Sequence, residues 1–218
     1  LRVDVFLKDG ATVKPGDVAF IVTGKAQSIL TAERLVLNCM QRMSGIATYT
    51  HQLNKLIAGT NAKLLDTRKT TPNFRMMEKW AVLIGGGVNH RYGLFDMIIL
   101  KDNHVDYAGG IRQSIAATHD YLQRTNRQLK IVVETRNLQE VQQVLETGGV
   151  DRIMLDNMTP DQLREAVQFI GGRFITEASG GITNETIAAV AATGVDYISV
   201  GALTHSVRSM DISLKARK

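Results

Sequence analysis

Cysteine is nearly absent: Cys39 is the single one among 218 residues, which excludes an internal disulfide, and no Cys/His spacing suggests a zinc site. A reducing, cytoplasmic setting is the expectation. No apolar stretch approaches the roughly 20 residues needed to cross a bilayer, and the first residues show no signal-peptide pattern. No basic run occurs, and aromatic residues make up 6%, too few to stack bases along a nucleic acid. Membranes and nucleic acids are therefore set aside as partners.

What is present is ordinary for a globular chain: 44% hydrophobic and 22% charged residues, enough for a substantial core, and a length that fits one large domain plus a fragment. The formal charge of +5 is modest. Because the basic residues gather at the ends of apolar runs, an anionic small substrate accounts for the excess. The chain opens at Leu1 inside what reads as a strand, so upstream sequence is expected.

Val3–Leu7 and Val18–Val22 are apolar runs separated by Lys8-Asp9-Gly10 and Lys14-Pro15-Gly16-Asp17, which predicts a small antiparallel unit with Gly/Pro turns. It resembles half of a lipoyl-type module but lacks a hairpin-tip lysine between methionines. Thr31, with Glu33 in the following turn, reads as the N-cap of a helix running to about Ile57. Its stripe Leu35, Val36, Cys39, Met43 and Ile46 reads mostly as core.

Beyond residue 62 short β-rich runs alternate with helical patterns: strands at 62–65, 97–100, 131–133, 152–155, 174–176 and 197–200, and helices near 75–84, 109–124, 138–147, 160–170 and 184–193. Near-continuous apolar strands imply a parallel sheet buried on both faces. Six units, with a possible short extra strand at 86–89, fall short of eight. The expectation is an α/β fold, an incomplete or seven-stranded α/β barrel; an open doubly wound sheet is the rival.

Six strand ends carry polar clusters: Asp66-Thr67-Arg68-Lys69, Lys101-Asp102-Asn103-His104, Glu134-Thr135-Arg136, Asp156-Asn157, Glu177-Ala178-Ser179-Gly180-Gly181 and Gly201-Ala202. In a barrel these ends share one mouth. A polar residue after a strand is often only a helix cap, but caps can be assigned elsewhere. Asn137 has Glu140 three residues on, Thr159 precedes Pro160, and Thr183 or Asn184 precedes the last long helix. Glu134, Asp156 and Ser179-Gly180-Gly181 are left free for chemistry.

The glycine-containing loops after the last two strands suit a sugar phosphate, since glycine lets the backbone approach closely. Arg68, Lys69, His90, Arg91 and Lys101 form a cationic set that calls for carboxylates or phosphates as partners, with internal salt bridges as the alternative. Gly85-Gly86-Gly87 lets the 88–91 segment bend around a ligand. Glu134 and Asp156 could carry a divalent cation bound to pyrophosphate.

Together, Asp66-Thr67-Arg68-Lys69-Thr70-Thr71-Pro72, Gly85-Gly86-Gly87-Val88-Asn89-His90-Arg91, Lys101-Asp102-Asn103-His104, Leu155-Asp156-Asn157, Glu177–Gly181 and Val200–Ser206 resemble the quinolinate phosphoribosyltransferase family. The resemblance runs through essentially the whole chain and departs at its start. It implies that 1–40 are the remainder of an N-terminal α/β sandwich domain, rejoined by 206–218, and that 41–205 form a seven-stranded barrel domain. It further implies transfer of phosphoribosyl from 5-phosphoribosyl 1-pyrophosphate to quinolinate with decarboxylation, giving nicotinate mononucleotide for NAD biosynthesis. Mg2+ is the implied cofactor, and a homodimer or higher assembly the implied state.

By that resemblance Arg68, His90 and Arg91, with Lys101 nearby, hold the quinolinate carboxylates, and Arg34 reaches into a second subunit's site. Lys69, Glu134 and Asp156 engage ribose, pyrophosphate and Mg2+, the metal indirectly. Ser179, Gly180 and Gly201 take the 5-phosphate, with His205 close by. Lys69, Lys101, Glu134 and Asp156 are the implied catalytic set. The residue types leave open a related transferase for a monoacid, a sugar-phosphate lyase or isomerase using Lys101, and a non-catalytic phosphate binder.

Overall fold

The computed structural model describes residues 1–216; the last two residues of the expected 206–218 segment lie outside the described residues. Strands β1 (Arg2–Val5) and β2 (Phe20–Thr23) pair antiparallel with each other, as expected of a Gly/Pro-turned unit. Helix α1 (Ala26–Leu56) follows. It starts earlier than the sequence reading placed it: Thr31 does not cap it, and its hydroxyl instead donates back to the carbonyl of Gln27 within the helix.

The α1 stripe is core only in part. Ile46 and Leu53 are buried, whereas Leu35 and Val36 are exposed. A stripe becomes core only where an element packs on it, and α1 meets α2, β3, α7 and α8 through its later turns. Gly85 shows how close that packing is. A Cβ there would stand 2.5 Å from the Ala47 carbonyl oxygen and 2.6 Å from Thr50 Cβ, so only glycine lets α2 press against α1.

The remaining elements are β3 (Lys63–Leu65), α2 (Arg75–Ile84), β4 (Met97–Leu100), α3 (Asp102–Ala108), α4 (Ile111–Arg124), β5 (Lys130–Thr135), α5 (Leu138–Thr147), β6 (Arg152–Asp156), α6 (Pro160–Ile170), β7 (Ile175–Ser179), α7 (Ile187–Ala191), β8 (Tyr197–Ser199) and α8 (Ala202–His205). The helix expected over 109–124 is α4, which starts at Ile111 because Gly109 and Gly110 both adopt positive φ; the short helix α3 before them was not expected. Asn137 caps α5 by accepting from Glu140 N–H, and Thr159 caps α6. The Thr183/Asn184 cap is not formed: α7 starts only at Ile187, and the Thr183 carbonyl, not its side chain, accepts the Ile187 N–H.

Six strands form one parallel sheet in the order β3-β8-β7-β6-β5-β4. The extra strand expected at 86–89 reduces to one bridge, Leu65 with Val88. With Val88 on the free side of β3, the spatial order is a cyclic permutation of chain order, the order an incomplete barrel has. No ladder joins Val88 to β4 among the described residues. At that seam the Arg91 Nη1 donates instead to the Met97 carbonyl at 3.1 Å.

Strand alternation sorts the side chains. Leu64, Leu100, Ile131, Val133, Ile153, Leu155, Ala178 and Ile198 join the core under the helices. Ile99, Val132 and Met154 form a separate small cluster on the inner face. By the same two-residue period Lys101, Glu134, Asp156, Glu177, Ser179 and Ser199 point inward. Five of the six clusters therefore address one volume, and Asp66, which alternates with Leu65, faces α2 instead.

Candidate active site

The acidic side of the mouth comes from β5 and β6. Glu134 is registered opposite Met154, so Asp156 stands one side-chain layer nearer the strand ends. Burial raises the Glu134 carboxyl above its usual range and the Asp156 charge raises it further, against Lys101, whose Nζ lies 3.9 Å from Glu134 Oε2. Burial likewise raises Asp156, opposed by the hydrogen bond it accepts from Asn157 Nδ2 at 2.5 Å and by one from Ser179. Two hard-oxygen donors suit Mg2+ that keeps most of its ligands from water and pyrophosphate. No group of three acidic, His or Cys side chains that could hold an ion by itself occurs among the described residues.

The glycine side is built by close approach. At Gly180, φ is +91° and a Cβ would fall 2.2 Å from Asn157 Oδ1, so Asn157 fills the space a side chain would need. Asn157 is held there by donating its N–H to the Ser179 carbonyl at 2.8 Å. Across the mouth, a Cβ on Gly201 would lie 3.0 Å from His205 Nε2 and 3.2 Å from Lys69 Cδ, which brings Lys69, Gly201 and His205 together. The Lys69 backbone is fixed by the Thr204 hydroxyl, which donates to its carbonyl at 2.7 Å.

On the cationic side, Arg68 is half-buried and Arg91 buried. Burial lowers the Arg91 guanidinium, the neighbouring Arg68 charge adds a smaller lowering, and the Asp96 charge opposes both. Neither arginine has a carboxylate at ion-pair distance among the described residues, and Arg91 Nε is buried without a hydrogen-bond partner. His90 differs: its Nδ1 accepts the Arg91 N–H at 2.6 Å and its Nε2 lies 3.3 Å from Glu177 Oε2. Only Nδ1 is hydrogen-bonded; Nε2, like Arg91 Nε, is buried without a hydrogen-bond partner among the described residues and has Glu177 as its charged neighbour. Arg34 is exposed on the early part of α1 and forms no hydrogen bond or ion pair with the mouth residues.

Sequence reasoning missed the buried ions that hold these loops. Asp66 accepts from Lys79 Nζ, from Asn89 Nδ2 at 2.6 Å and from the His90 N–H at 2.8 Å; Lys79 also donates to the His90 carbonyl at 3.0 Å. Burial pushes Asp66 up and Lys79 down, each against the other's charge. One residue earlier on α2, Glu78 accepts from the Thr71 N–H at 3.0 Å and hydroxyl at 2.9 Å and from Arg42 of α1, which also donates to Val207 and Thr204 carbonyls. Deeper inside, Glu177 takes Arg152 Nη1 at 2.6 Å and the Ser199 hydroxyl. The one available signal was on α2: Met76, Trp80 and Leu83 are exposed, while Glu78 and Lys79 share the buried face with Ala81 and Val82.

Two shallow clefts elsewhere, one beside Lys130 and Asp151 and one beside Lys63, Asp196 and Tyr197, lie at the amino ends of the strands and contain none of these residues. No helix among the described residues is long and apolar enough to cross a membrane.

Comparison with known proteins shows the family. Residues 46–215 match the C-terminal domain of quinolinate phosphoribosyl transferase and residues 1–44 its N-terminal domain. The mitochondrial quinolinate phosphoribosyltransferase [decarboxylating] 2 of Nicotiana glauca is 49% identical over 99% of this chain. A probable nicotinate-nucleotide pyrophosphorylase [carboxylating] of Bacillus subtilis is 44% identical, over 95% of this chain and 70% of its own length. The chain spans 65% of the length of the Nicotiana relative. Among solved structures, NadC from Streptococcus pyogenes superposes with a TM-score of 0.91 at 40% identity, covering 99% of this chain and 75% of that one. The nicotinate-nucleotide pyrophosphorylase of Francisella tularensis gives 0.90 at 41%, covering 97% of this chain and 74% of its own. The chain belongs to the quinolinate phosphoribosyl transferase family.

Proposed function

We propose that the protein is a quinolinate phosphoribosyltransferase. It moves phosphoribosyl from 5-phosphoribosyl 1-pyrophosphate to the ring nitrogen of quinolinate, releases pyrophosphate and CO2, and forms nicotinate mononucleotide for NAD biosynthesis. The observation that carries this reading is the division of one mouth. Arg68 and Arg91 lie close enough for their charges to oppose each other, with a buried, unpartnered Arg91 Nε and, among the described residues, no carboxylate at ion-pair distance, Asp96 acting only from further off, while Glu134 and Asp156 occupy the side beyond Lys101. A dianionic acid relieves the first arrangement, and a cationic sugar suits the second.

Breaking the bond at the anomeric carbon builds positive charge on the ribose and negative charge on pyrophosphate. Glu134 and Asp156 face the ribose and stabilise the first, and Lys69 and Lys101 the second. Glu134 and Asp156 would hold Mg2+ together with the pyrophosphate, and the ion would supply further charge neutralisation. Ser179, Gly180 and Gly201, with His205 beside them, take the 5-phosphate. Arg68 and Arg91 hold the two carboxylates in bidentate fashion, with His90 behind them. Decarboxylation needs no side-chain base, because the ring nitrogen, cationic once ribosylated, accepts the electron pair.

Arg34 is exposed, has no side-chain hydrogen bond or ion pair among the described residues, and completes the acid site from a second subunit, so the working unit is a homodimer or a higher assembly. The compartment follows the source: a cytoplasmic enzyme where the chain carries no targeting segment, an organellar one as in the Nicotiana glauca relative.

The test is turnover with quinolinate against nicotinate, followed by pyrophosphate release and ultraviolet absorbance. Release with quinolinate and not nicotinate is expected. Turnover confined to nicotinate, or donor binding without any release, would sink the assignment.

A further inference from the structure

Glu177 has no part in the proposed reaction, yet it is among the most enclosed charges in the molecule. It is fully buried, on the inner face of β7, and registered one layer below Ser179 and opposite Met154 of β6. Burial alone would raise its carboxyl, but His90, Ser199 and Arg152 together hold it below its ordinary value. Arg152 in turn lies 4.3 Å from the centre of the Tyr197 ring, which fixes that cation beneath the carboxylate.

The segment 88–91 needs an inner anchor. It has one bridge to β3 and no ladder to β4 among the described residues, so nothing of the sheet holds its inner side. Asp66 and Lys79 tether its backbone from the helix side. On the inner side, the His90 ring reaches past β8 to β7, where Nε2 meets Glu177.

The ring's tautomer follows from its other end. Nδ1 accepts the Arg91 N–H at 2.6 Å and so carries a lone pair. In the neutral ring the hydrogen therefore sits on Nε2, facing the carboxylate. The contact is 3.3 Å and not aligned as a full hydrogen bond. It is an electrostatic strut, and its far end is the backbone N–H of the residue that presents Arg91.

We propose that Glu177 is a positioning residue for the acid-acceptor half of the site: through His90 Nε2 it sets the ring, and through the ring's Nδ1 it sets the backbone of Arg91. This rests on the phosphoribosyl-transfer reading. It assigns Glu177 no contact with substrate, and it separates Glu177 from Glu134, which lies in the same layer beyond Met154.

The experiment is Glu177→Gln in the full-length protein, with steady-state kinetics for quinolinate and the phosphoribosyl donor, thermal melting, and ring nitrogen-15 NMR of His90 in both proteins. Glutamine keeps the shape and removes the charge that fixes the Nε2 hydrogen. The expected result is a rise in quinolinate KM of roughly tenfold, the worth of a weakened contact to a charged group. The donor KM should move less than about twofold, and the His90 spectrum should pass from a single Nε2–H form to a mixture of tautomers. An unchanged quinolinate KM with an unchanged ring spectrum overturns the proposal. A wild-type ring with its hydrogen on Nδ1 overturns it too, whether or not the variant folds. If the wild-type protein turns over no quinolinate, the reaction assignment fails, and the ring spectra still decide the strut.

Discussion

Replacing Lys79 by methionine keeps the length of the side chain and removes its charge, so the cost falls on the partners left behind. Asp66 is fully buried and Lys79 nearly so. Without Lys79, Asp66 retains the Asn89 amide and the His90 N–H but no positive charge. Removing one partner of a buried ion pair costs about 3–5 kcal/mol, and at about 2–4 °C per kcal/mol for a chain of this size the melting midpoint should fall about 6–20 °C at neutral pH. The sign of the pH dependence follows from Asp66. Burial already raises its pKa above the unfolded value, and Lys79 is the largest influence holding it down. In the variant the folded chain therefore binds a proton at Asp66 more tightly than the unfolded chain does, by a wider margin than in the wild type. Folding then gains stability as pH falls through that raised pKa, and the deficit against wild type should shrink on acidification. Calorimetry of both proteins from pH 7 downward reads this directly. A deficit under about 1 kcal/mol at pH 7, or one that grows as pH falls, would refute the buried-pair account. A second consequence is kinetic: Lys79 also holds the His90 carbonyl, so the variant should lose quinolinate affinity before donor affinity.

Four further outcomes are expected. Glu134→Gln should lower kcat by on the order of 100-fold or more, as loss of a preorganised charge at a developing cation does, with quinolinate binding by calorimetry retained; full activity would remove Glu134 from the donor site. Asp156→Asn removes the charge that helps raise Glu134, so the acid limb of kcat/KM for the donor should move to lower pH even as the rate drops, and a limb moving up would contradict the shared mouth. Gly180→Ala forces a Cβ into Asn157 at a positive φ and should cost about 1–3 kcal/mol together with a raised donor KM; crystallography showing Asn157 undisturbed would count against it. Mixing Arg34→Ala with Glu134→Gln protein should restore activity to about a quarter of wild type through hybrid dimers with one intact site, whereas no recovery would place Arg34 outside the partner's site.

The strands were legible because a parallel sheet covered on both faces leaves short apolar runs that no surface helix produces. All five expected barrel-region helices appeared, four with little or no shift and the last shortened to Ile187–Ala191, and two caps, Asn137 and Thr159, were readable from local chemistry alone. Local chemistry failed where the partner was remote. Thr31 has the composition of a cap but lies a turn inside α1, because the helix start is set by Gly24 and Lys25 rather than by the nearest hydroxyl. Leu35 and Val36 fit the core stripe, and only the position of α2 and β3 shows that the stripe is covered from Leu37 onward.

The same limit explains the division within the site. Residues at strand ends are legible because alternation fixes which way they point, so Glu134, Asp156 and Ser179 could be grouped before any coordinates were known. Glu78, Lys79 and Arg152 look like solvated charges in a linear sequence, and Glu177 like one more polar residue of a strand-end cluster; each is buried where an unlike charge from a distant element meets it. Such pairs contribute little net stability compared with apolar residues of similar volume, and their worth lies in fixing geometry. Here each one terminates on a mouth segment: Glu78 on the 68–71 loop, Lys79 and Asp66 on the His90 backbone, Glu177 on the His90 ring. Arg68 and Arg91, with no carboxylate at ion-pair distance among the described residues, repel each other and would splay apart on a free loop. Buried anchors behind them hold that repulsion in place until an anionic ligand relieves it.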